Sequence, residues 1–151
     1  MAAPRRIQKE LMDYQAHPQA SIASLTPRAD DIYKWDIVMN GPAGTPYAGG
    51  RFRLLVQFPP NYPFEAPKVS FAHPVYHMNV EKDGSHVCLN SLLPGTWRPT
   101  VKMTTVVDEL AALLANPNPD HAVVAEYAAL FNTDRVAYDR AARECTQHHA
   151  H

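Results

Sequence analysis

The first apolar pattern in the chain has the spacing of an α-helix. Ile7, Leu11 and Tyr14 stand at positions i, i+4 and i+7, separated by mostly polar residues. Residues 4–16 are therefore predicted to form a helix with one apolar face. Pro18 ends it, because the residue before a proline avoids the α-helical region of backbone space.

The next part of the chain alternates apolar and polar side chains, which is the period of β-strands with one buried face. The apolar positions fall into three groups: Tyr33, Trp35, Ile37 and Met39; Phe52, Leu54, Val56 and Phe58; Val69 and Phe71. A weaker strand is predicted within residues 21–26. Turn-forming residues at 40–42, 44–46, 49–50 and 59–61 separate these strands. Such short connections predict a four-stranded antiparallel meander that packs on one face.

Helical spacing returns after residue 103. Apolar residues at 106–114 share one side of a predicted helix, which Thr104 or Thr105 would cap. The Asn-Pro-Asn-Pro-Asp segment at 116–120 ends that helix. A shorter helix is predicted at about 123–131, and a last one at 134–147 after the capping residues Asn132 and Thr133. A helix, a four-stranded meander, a long loop and three helices indicate an α+β fold, with residues 1–151 forming one domain.

The long loop, residues 77–99, contains Cys88 among many turn-forming residues. Loops of this length are uncommon in compact domains unless they are functional or disordered, and the apolar residues here favour order. A loop cysteine with polar neighbours is a candidate nucleophile, although a buried inert cysteine is the commoner case. The amide of Asn79 is a candidate donor to a developing oxyanion. In a hydrolase of the Cys-His kind, His77 or His86 would serve as the base.

Composition and charge exclude several other classes. The net charge of −1 argues against a general nucleic-acid binder. No apolar run is long enough to cross a membrane, and no signal peptide is recognisable. Cys88 and Cys145 are expected to be free thiols in a reducing compartment, the cytoplasm or the nucleus. We expect no metal site, because no C-x-x-C motif occurs, and no bound cofactor, because no glycine-rich phosphate loop occurs.

Several motifs along the chain together resemble the ubiquitin-conjugating enzymes. They are the basic helix at 5–11, Trp35, Thr-Pro-Tyr-Ala-Gly-Gly at 45–50, Phe-Pro-Pro-Asn-Tyr-Pro-Phe at 58–64, His-Met-Asn at 77–79, Gly84 to Leu89 around the cysteine, Trp-Arg-Pro at 97–99 and Asn-Pro-Asn-Pro-Asp at 116–120. The resemblance covers nearly the whole chain. The resemblance is strongest to those members of the family that work with many different ubiquitin ligases.

The resemblance implies a catalytic role for the long loop. Cys88 would accept the C-terminal glycine of ubiquitin as a thioester from the activating enzyme, which is the enzyme that uses ATP. The ubiquitin would then pass to a substrate lysine or to a ligase cysteine. By the same resemblance Asp120 orients the incoming amine, Asn79 serves as oxyanion donor or positions the loop, and His77 hydrogen-bonds the loop. An alternative role for Asp120 is to cap the helix that starts near residue 123.

The resemblance also implies partner surfaces. Arg5, Arg6 and Lys9 would contact the activating enzyme and the ligases. Phe64 and Pro99 would anchor ligases of the RING, U-box or HECT type, with Arg98 beside them. The strand face around Ser24 would bind a second ubiquitin without a covalent bond. The Tyr62-Pro63 peptide bond is expected to be cis, as it often is in the family.

Three departures from the family pattern concern the active-site region. Met78 replaces the proline of the His-Pro-Asn motif and so adds a backbone N–H. Asn79 and Cys88 are nine positions apart (88 − 79), one more than is usual in the family. Arg98 stands where a small polar residue is common. Three alternatives remain open from the sequence: an enzyme for a ubiquitin-like modifier, a non-catalytic ubiquitin-binding adapter, which would usually lack the cysteine, and a Cys-His hydrolase.

Overall fold

The computed structural model describes residues 2–151. Its main elements in chain order are α1 (Ala2–Ala16), β1 (Ile22–Arg28), β2 (Asp31–Asn40), β3 (Arg51–Gln57), β4 (Lys68–Phe71), α2 (Met103–Ala115), α3 (Ala125–Thr133) and α4 (Arg135–His149). Single turns of 3-10 helix lie at Asn90–Leu92 and Pro119–His121. This order of a helix, four strands, a long loop and three helices confirms the predicted α+β architecture.

The sheet has the strand order β1-β2-β3-β4, and every neighbouring pair is antiparallel. Trp35 pairs with Val56 and Ile37 with Leu54, and all four of these side chains are buried. The period-two pattern therefore identified the packed face of these strands correctly. β1 is longer than predicted and ends at Arg28.

The buried face of the sheet forms one hydrophobic core with α1 and α2. Ile7 and Leu11 of α1 are buried, as predicted from their spacing, and both helices contact β2. In α2 the buried residues are Met103, Val106, Val107, Leu110 and Leu114. The core thus fixes α2 against the buried face of the sheet.

The predicted cap of α2 is wrong. The helix begins at Met103, before both threonines, and its N-cap residue Lys102 makes no side-chain cap. Instead the backbone N–H of Met103 donates to Oε1 of Glu10, at 2.7 Å. A carboxylate from α1 satisfies one of the free amides at the start of α2, so a local capping residue is not needed.

The boundaries of the last two helices also differ from the prediction. α4 is capped by the side chain of Asp134, which accepts from the N–H of Ala137 at 3.1 Å, whereas the Thr133 hydroxyl donates to Ala129 O within α3. α3 begins at Ala125, after Val124. Asp120 precedes this helix by several residues and does not cap it.

Candidate active site

Cys88 lies on one arm of a tight hairpin in the long loop. Val80 and Val87 form an antiparallel bridge, and the N–H of Cys88 donates to Asn79 O at 2.9 Å. Gly84, at the turn, has φ of 85°. The hairpin turn thus brings Asn79 and Cys88, nine positions apart in sequence, together through a backbone hydrogen bond.

Gly84 is required for the hairpin to pack against the sheet. A Cβ atom at this position would lie 2.3 Å from His73 O and 2.9 Å from the Cβ of Phe71. The carbonyl of Gly84 accepts from the N–H of Phe71 at 2.8 Å. The absence of a side chain therefore lets the loop extend the edge of the sheet and fixes Cys88 relative to β4.

The Cys88 thiol is free and half-buried, and it lies where two grooves meet. One groove, of about 580 Å³, runs along α2 and is lined in part by Leu113, Asn116 and Asn118. The other, also of about 580 Å³, runs towards β3 and β4. We call them the helix-side groove and the sheet-side groove. A group bonded to the thiol is thus accessible from two directions.

Asn79 is fully buried, and its side-chain amide holds the segment that carries Asp120. The amide nitrogen Nδ2 donates to Asn118 O at 2.9 Å and to His121 O at 3.0 Å. Its Oδ1 accepts from the N–H of Asn118 at 2.9 Å. Both N–H donors of the amide are used in these bonds. The geometry therefore supports loop positioning, the second of the two roles expected for Asn79.

Asp120 lies on the 3-10 turn that Asn79 holds. Its backbone N–H donates to Oδ1 of Asn118 at 3.1 Å, and its side chain is exposed. Hydrogen bonds connect Asn79 to Asn118 and Asn118 to Asp120. Asn79 and Asn118 line the helix-side groove, whereas Asp120 lies next to it in the chain without lining it. The carboxylate is exposed to solvent on this short turn.

His77 is buried, and both of its ring nitrogens are occupied. Nδ1 accepts from the N–H of Asn79 at 3.0 Å, and Nε2 donates to Leu113 O at 2.9 Å. Burial lowers the pKa of His77 to about 4, because the charged imidazolium is poorly solvated there. His77 is neutral at pH 7 and has no free lone pair with which to act as a base. His86, by contrast, is exposed and lines the sheet-side groove.

Met78, expected from the resemblance to stand in place of a proline, uses the backbone N–H that a proline would lack. This residue is fully buried, and its N–H donates to the hydroxyl of Tyr138 on α4 at 3.1 Å. Its carbonyl accepts from the N–H groups of Val123 at 2.8 Å and Val124 at 3.1 Å. Met78 therefore joins the active-site segment to α4 and to the residues that lead into α3.

The residues expected to bind ligases lie on two neighbouring loops. Phe64 is 71% exposed, and Arg98 and Pro99 are also exposed. Between them the buried Trp97 donates from Nε1 to Pro63 O at 2.7 Å, which ties the loops together. The Tyr62-Pro63 bond is cis, as expected.

The basic residues of α1 do not share one environment. Arg5 and Lys9 are exposed. Arg6 is half-buried and binds within the protein: its Nε lies 2.9 Å from Oε2 of Glu10, and its Nη2 donates to Val101 O at 3.1 Å. Ser24, the residue expected to mark a ubiquitin-binding face, is exposed on β1.

Two residues that the sequence did not single out connect these parts. The carboxylate of Glu10, which is 3% exposed, binds Arg6, the N–H of Met103 and the hydroxyl of Tyr62. Glu10 lies three positions after Ile7 and next to Leu11, on the apolar face of α1. A charged residue on that face could have indicated a buried, paired carboxylate. Tyr138 had no comparable signal, because its partner is a backbone amide distant in sequence.

Within residues 2–151 there is no group of three or more His, Cys, Asp or Glu side chains able to hold a metal ion. None of the helices described is both long and apolar enough to cross a membrane. The family model of the ubiquitin-conjugating enzymes matches residues 6–146. With nearly the whole chain matched, the protein belongs to the ubiquitin-conjugating enzyme family.

Proposed function

We propose that this protein is a catalytically active ubiquitin-conjugating enzyme that carries ubiquitin as a thioester on Cys88. The observation that supports this most strongly is the free, half-buried Cys88 thiol at the meeting point of two grooves. A non-catalytic adapter has no need of an accessible thiol at this point. A Cys-His hydrolase needs an oriented histidine base: both nitrogens of His77 are already bonded, and His86 is exposed, with no hydrogen bond from residues 2–151 to orient its ring.

Loading begins when the Cys88 thiolate attacks the thioester carbonyl carbon that links ubiquitin to the activating enzyme. A new C–S bond forms, the old one breaks, and the thiolate of the activating enzyme leaves. One thioester replaces another, so the step needs accurate placement more than a strong base. The helix-side groove offers space beside Cys88 for the extended C-terminal tail of ubiquitin.

Transfer to a substrate lysine follows the same logic with a nitrogen nucleophile. The ammonium group, whose pKa is about 10.4 in water, must first lose a proton. The amine then forms an isopeptide bond with the carbonyl carbon while the C–S bond breaks and Cys88 leaves as a thiolate. We assign to Asp120 the binding and orientation of this amine, and to Asn79 the positioning of Asp120. A ligase cysteine would attack the same carbon.

Charging tests the proposal. The protein is incubated with activating enzyme, ATP and ubiquitin, and a reductant-sensitive adduct is expected. Cys88→Ala should form none, whereas Cys145→Ala, the matched control on the other free thiol, should charge normally. Parallel reactions use ubiquitin-like modifiers with their own activating enzymes. An adduct with one of those alone would identify a different modifier, and no adduct with any of them would refute the enzymatic proposal.

The role of Asp120 is tested separately from charging. Asp120→Ala should charge at the normal rate but discharge onto free lysine about 100-fold more slowly, the lower end of the range for a positioned acid–base group. Asp30→Ala, which removes a carboxylate from the β1–β2 turn, is the matched control. Equal discharge by both variants would remove Asp120 from the mechanism.

The proposed ligase contact depends on Phe64. An exposed aromatic side chain at a loop tip is typical of the few residues that dominate a binding interface. Phe64→Ala should therefore lose stimulation by a RING or U-box ligase while charging stays intact. Val136→Ala is the control, since Val136 is 68% exposed on α4, away from these loops. Normal stimulation of Phe64→Ala would contradict the assignment.

Two further surfaces are proposed to bind partners: the basic residues of α1 and the face of β1 around Ser24. Arg5 and Lys9, both exposed, are proposed to contact the activating enzyme, and Arg6 is proposed to act indirectly by holding Glu10. The face around Ser24 is proposed to bind ubiquitin non-covalently. Ser24→Arg should abolish that weak binding, measured by NMR titration with ubiquitin, and leave charging unchanged. The free thiols fit a cytoplasmic or nuclear location.

A further inference from the structure

The sheet-side groove has no role in the function proposed above. It opens at Cys88 and is bounded by β3 and β4 on one side and by residues 85–93 on the other. Leu55 and Val69 from the sheet, and Leu89 from the loop, give it apolar walls. Leu55 is 37% exposed. The groove is therefore an accessible, partly apolar surface that leads directly to the nucleophile.

The charge of this groove differs from that of the rest of the protein. Three basic side chains line it, Arg28, Lys34 and Lys68, and among the described residues no aspartate or glutamate does. The whole chain, in contrast, has 15 acidic and 14 basic residues. A groove with this lining favours a ligand with negative charge.

The three cations are not equally available. Arg28 forms a two-point ion pair with Asp36, at 3.0 and 3.1 Å, and Lys34 lies 3.9 Å from a carboxylate oxygen of Asp31. Lys68, the first residue of β4, forms no ion pair with any of residues 2–151. The free positive charge of the groove is thus concentrated at Lys68.

The two grooves at Cys88 give the two reactants of the transfer step separate approaches. Under the proposed function, the thioester tail occupies the helix-side groove, and the acceptor must reach the carbonyl carbon from another direction. The sheet-side groove provides one. A segment next to the acceptor lysine would then lie between the loop and the edge of the sheet, with its side chains near Lys68.

We propose that the sheet-side groove binds an acidic segment of the substrate protein beside the acceptor lysine, with Lys68 as the residue that selects for Asp or Glu. This inference rests on the proposed function. The hydroxyl group of Ser70, which also lines the groove, supplies a neutral donor suited to a carboxylate. A nucleic acid fits less well, because its affinity depends on several unpaired cations and the groove offers one.

The test measures discharge onto peptides without a ligase. Enzyme charged with ubiquitin is mixed with one of two peptides that share a single lysine, flanked either by Asp and Glu or by Asn and Gln. The acidic peptide should react about two- to fivefold faster at subsaturating concentration, the range of one exposed charge pair. The gain should appear in KM rather than kcat and shrink as salt is raised.

Charge reversal separates recognition from a structural effect. Lys68→Glu should invert the preference. A third peptide, whose single lysine is flanked by arginines, should then react faster than the acidic one. Lys68→Gln should abolish the preference. The control is Lys102→Gln. It removes a lysine that pairs with Asp13 of α1 and does not line the groove, so this variant should keep the preference for the acidic peptide. Discharge onto free lysine should stay unchanged in every variant.

A binding measurement on the uncharged protein distinguishes this inference from the proposed function. Titration of the acidic peptide into the ¹⁵N-labelled protein should shift the amide signals of Val69, Ser70 and Leu89, and the shifts should vanish in Lys68→Glu. These shifts require only binding, so we expect them even if the protein cannot be charged with ubiquitin. Equal reactivity of both peptides, a preference kept by Lys68→Glu, or stronger binding of a short single-stranded oligonucleotide than of the peptide would each overturn the inference.

Discussion

The buried bond between Met78 and Tyr138 leads to a quantitative prediction. Tyr138→Phe removes only the hydroxyl that accepts from the N–H of Met78. The ring remains, with its edge-on contacts to Tyr76 and Phe131 at centroid distances of 5.3 and 5.1 Å. The N–H of Met78 would be left buried without a partner. Such a group costs about 1–3 kcal/mol of the free energy of unfolding.

The second perturbation removes the donor. Met78→Pro restores the residue expected from the family motif and eliminates the N–H, although it also removes a buried methionine side chain. That second loss is shared by Met78→Pro and by the double variant, so it cancels in a double-mutant cycle. Once the donor is absent, Tyr138→Phe has no amide to strand. We therefore expect a coupling free energy of about 1–2 kcal/mol between the two positions.

Urea unfolding at pH 7.5 under reducing conditions provides the measurement, with the fluorescence of Trp35 and Trp97 as the signal. All four proteins of the cycle are compared with Tyr127→Phe, whose ring stacks on Tyr76 at 3.9 Å without a hydroxyl hydrogen bond among residues 2–151. The control should lie within about 0.5 kcal/mol of the parent. Additive effects of Met78→Pro and Tyr138→Phe would refute the assignment of this bond.

Three further predictions concern the same region. Asn79→Ala should retain charging but slow lysine discharge and speed amide exchange at 117–122, because three bonds to that segment are lost; slow discharge with unchanged exchange would instead favour an oxyanion role. His77 should remain neutral, with its proton on Nε2, down to about pH 4, so ¹⁵N NMR should show no titration near 6.5. In the unfolded chain this imidazole takes up its second proton near pH 6.5. The contribution of neutral His77 to the free energy of unfolding is therefore complete above about pH 6.5 and falls as pH drops towards 4, by about 2 kcal/mol at pH 5; titration of His77 near 6.5 in the folded protein would contradict this. Gly84→Ala should cost at least about 2 kcal/mol, because its φ is 85° and the new Cβ would lie 2.3 Å from His73 O. Gly95→Ala meets nothing within 4 Å and serves as the control in thermal unfolding; equal losses would contradict the packing argument.

The sequence predicted the sheet well because its pattern is strong and repeated. Ile37 and Leu54 share a face by the period of two, and each is 1% exposed in the structure. The N-terminal helix was equally legible from Ile7 and Leu11. In these elements burial depends on the local pattern, so local reasoning is sufficient.

The helix ends and the roles of the site residues were harder to predict, because their partners are distant in sequence. The N–H of Met103 is satisfied by Glu10, 93 positions away, so a rule based on neighbouring residues chose the wrong threonines. The amide of Asn79 bonds to a segment 39 to 42 positions away. Family resemblance suggested two roles for this amide, and the arrangement of its hydrogen bonds favours loop positioning.

The buried carboxylate of Glu10 has a consequence for any exchange of parts between members of this family. It contacts Arg6 in α1, Tyr62 beside the Phe64 loop, and the first residue of α2. A chimera that receives α1 from a relative without this glutamate would leave the N–H of Met103 and the hydroxyl of Tyr62 unpaired. The N-terminal helix is therefore not an interchangeable docking peptide, and a graft that alters partner choice must carry its contacts with Tyr62 and Met103 along with it.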